Sequence, residues 1–184
     1  MKLILIPLAI ATLLVGCNGQ KTKEEVKTSS EVNGDSLAIA DNALLDSVQY
    51  QTFNYFWDGA EPVSGLARER IHLDHVYPNH DKDIITTGGS GFGLMAILVG
   101  VERDFISREE ALERYERIVN FLEKADRFHG AWPHWMLPSG KVTAFSKKDN
   151  GGDLVETAFL VQGLLTVQAY FKNGNKREQQ LAEK

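Results

Sequence analysis

The sequence contains only one cysteine, five prolines and fewer basic than acidic residues. In 184 residues, 20 Lys and Arg face 25 Asp and Glu, and the formal net charge is −5. A single cysteine excludes an internal disulfide framework. The ordinary hydrophobic content of 43% excludes a collagen-like or largely disordered chain. With an acidic balance and no Lys/Arg cluster, no nucleic-acid partner is expected.

The single cysteine follows an apolar run at the N-terminus. Residues 3–15 are mostly apolar and follow Lys2, and the run is shorter than the ~20 residues that span a bilayer as a helix. This pattern predicts an export signal over residues 1–16. Its end, Leu14-Val15-Gly16-Cys17, resembles the bacterial lipobox, which implies that Cys17 becomes a lipid anchor. We therefore expect a membrane-anchored lipoprotein of the cell envelope that touches the membrane through this lipid only; the alternative is an ordinary signal peptide with an incidental cysteine.

Residues 17–40 are predicted to be a flexible tether. Between residues 18 and 36 the apolar side chains are Val26 and Val32, too few to offset the entropy lost on ordering. A globular part is expected to begin near Asp41.

The globular part, residues 41–184, has helical periodicity throughout. Apolar spacing predicts helices over residues 42–58, 90–102, 108–126 and 153–171, and a further one beginning at 176. Asp41 is the expected N-cap of the first, and a Ser107/Glu110 capping box opens the third. The fourth is apolar around most of its circumference, which predicts burial on several sides. Because the last pattern stops without an apolar partner face, the chain is expected to be the N-terminal part of a longer protein.

Two connections are unusually long. Residues 59–89 and 127–152 contain no predicted helix, and long loops of this kind usually serve a function. If the helices alternate in direction, both loops lie at one end of the bundle. The second loop is expected to form a hairpin, with strands in 132–137 and 142–145 around Pro138-Ser139-Gly140.

A glycine-rich segment, residues 86–93, precedes the second helix. Its spacing does not fit the dinucleotide, P-loop or nucleophile-elbow patterns. It therefore predicts a close backbone approach at a helix start, either to a ligand or to a neighbouring helix.

Five histidines raise the question of a metal site. His72 and His75 are followed by several aspartates, but the chain has no HExxH motif, and loops rich in His and Asp are commonly just solvated. We predict no metal site and no cofactor.

Two features at the second long loop suggest a site. Asp153 and Glu156 stand on the first turn of an apolar helix, where they could also be a simple helix cap. The preceding segment, residues 128–135, contains two tryptophans and two histidines. Aromatic faces beside carboxylates suit a sugar ring; the alternative is that the aromatics close the end of the bundle.

A family resemblance rests on ordered segments along most of the chain: Leu45-Asp46-Ser47-Val48-Gln49, Tyr55-Phe56-Trp57, Ser64-Gly65-Leu66, Thr86 to Gly93, Trp132-Pro133-His134-Trp135 and Asp149 to Thr157. Together they resemble the bacterial Glycoamylase-like family of glycoside hydrolases, which includes endo-β-1,2-glucanases. The resemblance implies an all-α fold, the N-terminal part of an (α/α) toroid of six helical hairpins. It also implies that Asp153 and Glu156 are catalytic and that a further catalytic acid follows residue 184.

The resulting expectation is an exported, lipid-anchored glycoside hydrolase that acts on a glucan or oligosaccharide, with β-1,2-glucan and an inverting outcome implied by the resemblance. Glu156 is the expected general acid, and Asp153 would position it or take part in a water relay. The candidate substrate-binding residues are Trp132, His134, Trp135, Gly65, Arg68, Gly89 and Ser90. Two alternatives remain at this point: a non-catalytic glycan-binding lipoprotein, and a polysaccharide lyase or epimerase on the same toroid.

Overall fold

A computed structural model of the protein describes residues 34–143 and 147–184, with side chains from residue 41 onward. The predicted signal peptide, the Cys17 anchor, most of the predicted tether and Phe145 at the end of the predicted hairpin lie outside the described residues.

The described chain is mostly helical, as predicted, with three short strands. The helices are α1 (Gly34–Trp57), α2 (Thr87–Glu102), α3 (Arg108–Leu122), α4 (Leu154–Phe171) and α5 (Lys176–Ala182), and the strands are β1 (Ile85–Thr86), β2 (Trp135–Met136) and β3 (Val142–Thr143). Every predicted helix is present, whereas β1 was not predicted.

The ends of the helices follow their capping chemistry. The predicted box at α3 is present: Ser107 Oγ accepts from the Glu110 amide at 3.2 Å, and Glu110 Oε2 accepts from the Ser107 amide at 2.8 Å. The prediction of Asp41 as an N-cap was wrong, because α1 begins at Gly34 and Asp41 lies inside it. Helix α2 begins three residues earlier than predicted, at Thr87, although the Thr86 side chain forms no cap.

The three strands join the two long loops in one small sheet. Strand β1 comes from the first loop, and the antiparallel pair β2 and β3 comes from the second. Ile85 pairs with Met136, and Trp135 pairs with Thr143. Both loops therefore lie together, as predicted, and the predicted hairpin is confirmed. Its turn uses Gly140 at a φ of +78°, where glycine carries little strain.

Helices α2 and α4 are in backbone contact through two glycines. A Cβ on Gly91 would lie 2.2 Å from the Phe159 carbonyl oxygen, and one on Gly163 would lie 2.5 Å from the Gly91 carbonyl oxygen. Side chains of both helices then join α3 and α5 in one core, which includes Leu94, Leu112 and Leu160.

Helix α4 is less buried than its apolar sequence predicted. Its buried residues are Leu160, Gly163, Val167 and Phe171. Its exposed apolar residues are Leu154, Val155, Phe159, Val161 and Leu165. By length and composition α4 could also cross a membrane, but one face packs directly on α2. Within the described chain, α4 is thus a core helix with an uncovered apolar face.

The glycine contact yields a stability prediction. Replacing Gly with Ala inside a helix normally gains about 1 kcal/mol, but at Gly91 the new methyl group would overlap a backbone carbonyl that cannot rotate away. We expect Gly91→Ala to lower the free energy of unfolding of the full-length protein by about 1–3 kcal/mol. Chemical denaturation followed by circular dichroism measures this change.

Gly151→Ala is the matched control. A Cβ at Gly151 has nothing within 4 Å, so this variant is expected to retain wild-type stability. Equal stability of the two variants would contradict the proposed backbone contact.

Candidate active site

Asp153 caps the N-terminus of α4. Its Oδ1 accepts from the amides of Val155 at 2.9 Å and Glu156 at 3.0 Å. Its own amide donates to the Trp132 carbonyl at 2.9 Å. The helix-cap interpretation of Asp153 therefore holds, and the cap also ties the start of α4 to the segment before β2.

Glu156 does not complete a capping box. Instead of returning to the Asp153 amide, its side chain reaches α2, where Oε2 accepts from the Gly88 amide at 2.7 Å. Gly88 is the second residue of α2, whose first amides need acceptors from outside the helix. A Cβ on Gly88 would lie 2.6 Å from Oε2, so a larger residue would require the carboxylate to shift. Of the two alternatives for the glycine-rich segment, the structure therefore supports approach to a neighbouring helix at Gly88.

His134 lies between the two acidic side chains. Its Nδ1 is 3.1 Å from Asp153 Oδ2, and its Nε2 is 3.8 Å from Glu156 Oε1. The Trp135 ring stacks on the imidazole with 3.7 Å between ring centroids and 21° between planes. The His134 carbonyl accepts from the Thr87 amide at 3.0 Å, which supplies a second outside acceptor for the start of α2. Sequence reasoning placed these residues at one site, and the structure brings them into contact.

Glu69 is a member of this cluster that sequence reasoning missed. Its Oε2 accepts from the Trp135 indole at 2.9 Å. Glu69 is brought there because its amide donates to the Ile84 carbonyl at 2.8 Å, one residue before β1. No sequence pattern indicates this contact, because Glu69 lies within a charged run, Arg68-Glu69-Arg70, and β1 is too short to be recognised.

Trp132 points toward the core, away from this cluster. Its indole donates to the Leu122 carbonyl at 3.4 Å, and its ring lines an apolar cavity of about 240 Å³ with Leu122, Val161 and Leu164. Its backbone amide and carbonyl both engage Thr157 Oγ1, at 2.9 and 3.3 Å. This placement corresponds to the alternative in which an aromatic side chain closes the bundle.

The other candidate substrate-binding residues support the first loop. Ser90 Oγ accepts from the Ala67 amide at 3.0 Å and is buried. The Arg68 guanidinium donates to the carbonyls of Gly59 and Ala60 at 2.8 and 2.9 Å.

The two remaining glycines have packing neighbours of their own. A Cβ on Gly65 would lie 2.7 Å from Arg114 Cδ, and one on Gly89 would lie 2.5 Å from Thr86 Cγ2. The structure thus gives Gly65, Arg68, Gly89 and Ser90 positions in loop and helix packing.

An open cleft of about 340 Å³ lies over His134 and Asp153. It is lined by His134, Lys148, Asp149, Asn150, Gly151, Gly152, Asp153 and Leu154. In the described ranges 34–143 and 147–184, no group of three or more His, Cys, Asp or Glu side chains is arranged to hold a metal ion. The arrangement places Asp153 and His134 at the cleft, with the Glu156 carboxyl group behind them, 3.8 Å from the imidazole.

Comparison with known proteins identifies relatives that are longer than this chain. No family model matches it. The exo beta-1,2-glucooligosaccharide sophorohydrolase (non-reducing end) of Parabacteroides distasonis is 52% identical over 159 residues, which cover 85% of this chain and 21% of that protein.

Two solved structures have a similar fold. The endo-β-1,2-glucanase of Chitinophaga pinensis, in complex with sophorotriose and glucose, has a TM-score of 0.76 at 63% identity, covering 77% of this chain and 34% of that one. The β-1,2-glucanase of Parabacteroides distasonis has a TM-score of 0.71 at 54% identity, covering 78% and 20%. These matches confirm the predicted fold class, and this chain spans about a third or less of each relative.

The placement of the two tryptophans predicts different consequences of their removal. Replacing a core tryptophan with alanine costs about 3–5 kcal/mol, and for half-buried Trp132 we expect the lower end of that range. Trp135→Ala is the matched control and should cost clearly less, because its ring contacts His134 and Glu69 rather than the core. Chemical denaturation of both full-length variants measures the difference. A Trp132→Ala variant that keeps its stability but loses sugar binding would return Trp132 to the role of a sugar subsite.

Proposed function

We propose that this chain contributes the general acid of a glycoside hydrolase site that cleaves β-1,2-glucan. The chain is a homologue of the N-terminal part of glucoamylase-like β-1,2-glucan hydrolases. The observation that supports this most is the position of Glu156. Its carboxyl group is held by the Gly88 amide at 2.7 Å, and its Oε1 lies 3.8 Å from His134, a residue that lines the open cleft. The relatives named as β-1,2-glucan hydrolases supply the substrate class.

Glu156 is assigned the role of general acid. Glycoside hydrolysis needs a carboxylic acid that protonates the leaving oxygen and a carboxylate that activates water or attacks carbon. The Gly88 amide engages Glu156 Oε2 and so fixes the orientation of the carboxyl group. Oε1 is left to carry the proton that the glycosidic oxygen receives.

Asp153 is assigned a supporting role on the same side of the sugar. His134 contacts Asp153 and lies 3.8 Å from Glu156, so both acids belong to one wall of the site. An inverting enzyme needs its second carboxyl group about 6.5–9.5 Å from the first, with water between them. We therefore assign the activating base to a residue on the facing wall of the full-length protein.

The test is hydrolysis by the full-length protein and its Glu156→Gln variant. We expect the wild type to release short oligosaccharides from β-1,2-glucan and not from β-1,3- or β-1,4-glucans, as measured by product sizing. Glutamine keeps an oxygen that can accept from Gly88 but cannot donate the proton. Loss of a general acid costs roughly 10²–10⁴ in rate, so kcat should fall at least about a hundredfold while the melting temperature changes little.

The control is glucan affinity, measured by calorimetry with both proteins. Retained affinity in Glu156→Gln excludes a binding defect as the cause of the lost turnover. If the variant hydrolyses glucan within a few-fold of wild type, Glu156 is a structural residue. If the wild type binds glucan but cleaves none, the protein is a glycan-binding lipoprotein.

We also propose that the protein is anchored at the cell envelope through Cys17. The support is the sequence Leu14-Val15-Gly16-Cys17 directly after an apolar run. Cys17→Ser should move the protein from the membrane fraction to the soluble fraction of cells, because serine offers no thiol for lipidation. Fractionation followed by immunoblotting measures this, and unchanged detergent partitioning of the variant would refute the anchor.

A further inference from the structure

We infer that Glu69 is a positioning residue that fixes the Trp135 indole and, through it, the His134 imidazole in the wall of the cleft. This inference rests on the proposed function, in which the cleft receives the sugar. The juxtaposition that supports it is the series Glu69, Trp135 and His134, joined by a hydrogen bond of 2.9 Å and a ring separation of 3.7 Å.

The backbone holds Glu69 beside the small sheet. The Glu69 amide donates to the Ile84 carbonyl at 2.8 Å, and the preceding residue, Arg68, pairs with Ile85 of β1. Strand β1 pairs in turn with β2. Glu69 therefore lies two strands away from β2, and its side chain reaches Trp135 on β2 over the intervening strand.

Both oxygens of the Glu69 side chain have donors. Oε2 accepts from the Trp135 indole at 2.9 Å, and Oε1 accepts from the Arg70 guanidinium at 3.3 Å. The same guanidinium lies 3.7 Å from Asp81 Oδ2, and the Asp81 side chain is only 2% exposed. Because a partly buried indole N–H needs an acceptor, and this acceptor is itself held in place, Glu69 fixes the direction of the indole.

The indole in turn fixes the imidazole of His134. The two rings stack with 3.7 Å between centroids and 21° between planes, so the imidazole cannot tilt without leaving the indole face. The edge of the imidazole is held separately, because Nδ1 lies 3.1 Å from Asp153 Oδ2. Trp135 therefore sets the plane of the imidazole, and Asp153 sets its direction within that plane.

The effect of Glu69 on a bound sugar has to pass through these two rings. Among the described residues, His134 and Asp153 line the cleft, whereas Glu69 and Trp135 do not. The imidazole lies 3.8 Å from Glu156 Oε1, so a displaced imidazole would shift the sugar against that carboxyl group. Small misplacements of reacting groups lower the rate strongly. Loss of Glu69 should therefore reduce turnover more than binding.

The kinetic test compares Glu69→Leu and Glu69→Gln in the full-length protein. Leucine removes the acceptor, whereas glutamine keeps a side-chain oxygen that can accept from the indole. We expect Glu69→Leu to lower kcat on β-1,2-glucan about tenfold, with KM within about threefold of wild type. Glu69→Gln should recover most of this loss. An unchanged kcat in Glu69→Leu, or equal losses in the two variants, would overturn the inference.

Trp135→Phe removes the same hydrogen bond from the other partner, so the test does not depend on the folding of Glu69→Leu. Phenylalanine can still stack on His134 but has no N–H. We expect a loss of kcat similar to that of Glu69→Leu, and at most about a further twofold loss when both substitutions are combined. A much larger loss in Trp135→Phe alone, or fully multiplied losses in the double variant, would contradict a shared hydrogen bond.

Asp83→Asn is the matched control. Asp83 lies in the same loop and forms the same kind of pair with an arginine, Arg68, at 3.2 Å. Because exposed ion pairs contribute little, we expect kcat and KM of this variant to stay within about twofold of wild type. A tenfold loss of kcat would mean that any lost carboxylate in this loop slows the reaction, and the specific role of Glu69 would be refuted.

The indole N–H signal of Trp135 in a ¹H–¹⁵N spectrum provides a readout that does not depend on turnover, with Trp135→Phe identifying the signal. We expect the proton signal to move upfield in Glu69→Leu, because the hydrogen bond is lost, and to keep its position in Asp83→Asn. An unmoved signal in Glu69→Leu would overturn the inference. If the wild type cleaves no glucan, the proposed function fails, whereas the indole signal still decides whether Glu69 holds Trp135.

Discussion

The structure depends on the backbone contact between α2 and α4. Gly91 and Gly163 allow the two helices to approach until carbonyl oxygens and α-carbons touch. That approach brings the first amides of α2 within reach of the first turn of α4, so that Gly88 can donate to Glu156. A larger residue at either glycine would separate the helices and remove the acceptor from an amide that has no partner in its own helix. Core packing and the geometry of the candidate site thus have one physical origin.

The small sheet adds the aromatic residues to this arrangement. Strand β1 pairs with β2, which fixes His134 and Trp135 beside the start of α2. The Thr87 amide donates to the His134 carbonyl, so the strand also completes the helix cap. Glu69 enters the same cluster because its backbone pairs beside β1. Residues from three distant parts of the sequence therefore meet in one cluster.

Sequence reasoning predicted the elements better than their contacts. Periodicity and the Ser107 capping box identified the helices, since these signals are local. The pairing of Glu69 with Trp135 could not be predicted, because it depends on a two-residue strand and on residues far apart in the chain. Nor could the direction of the Glu156 side chain, since a glutamate at the third position of a capped helix normally returns to its own N-cap.

The aromatic segment illustrates the same difference between composition and orientation. Both tryptophans were predicted at one site, but side chains alternate in direction along the extended segment, and Thr157 holds the Trp132 backbone. The two rings therefore lie in different environments, that of Trp132 at the apolar cavity and that of Trp135 against His134. The exposed apolar face of α4 is another case: the sequence is apolar on most sides, yet burial depends on what packs there. Apolar periodicity predicts which helix faces are suited to burial, but whether a face is buried depends on the elements that pack against it.

The fit around Gly88 has a consequence for how this region can be studied and how it can change. A side chain at this position adds a carbon atom where the Glu156 carboxylate lies, so a substitution would displace the carboxylate, although glycine contributes only an N–H group. The effect of such a substitution would therefore be felt at Glu156, and not through any side-chain chemistry of residue 88 itself. The residues that position the Glu156 carboxyl group thus include one that has no side chain.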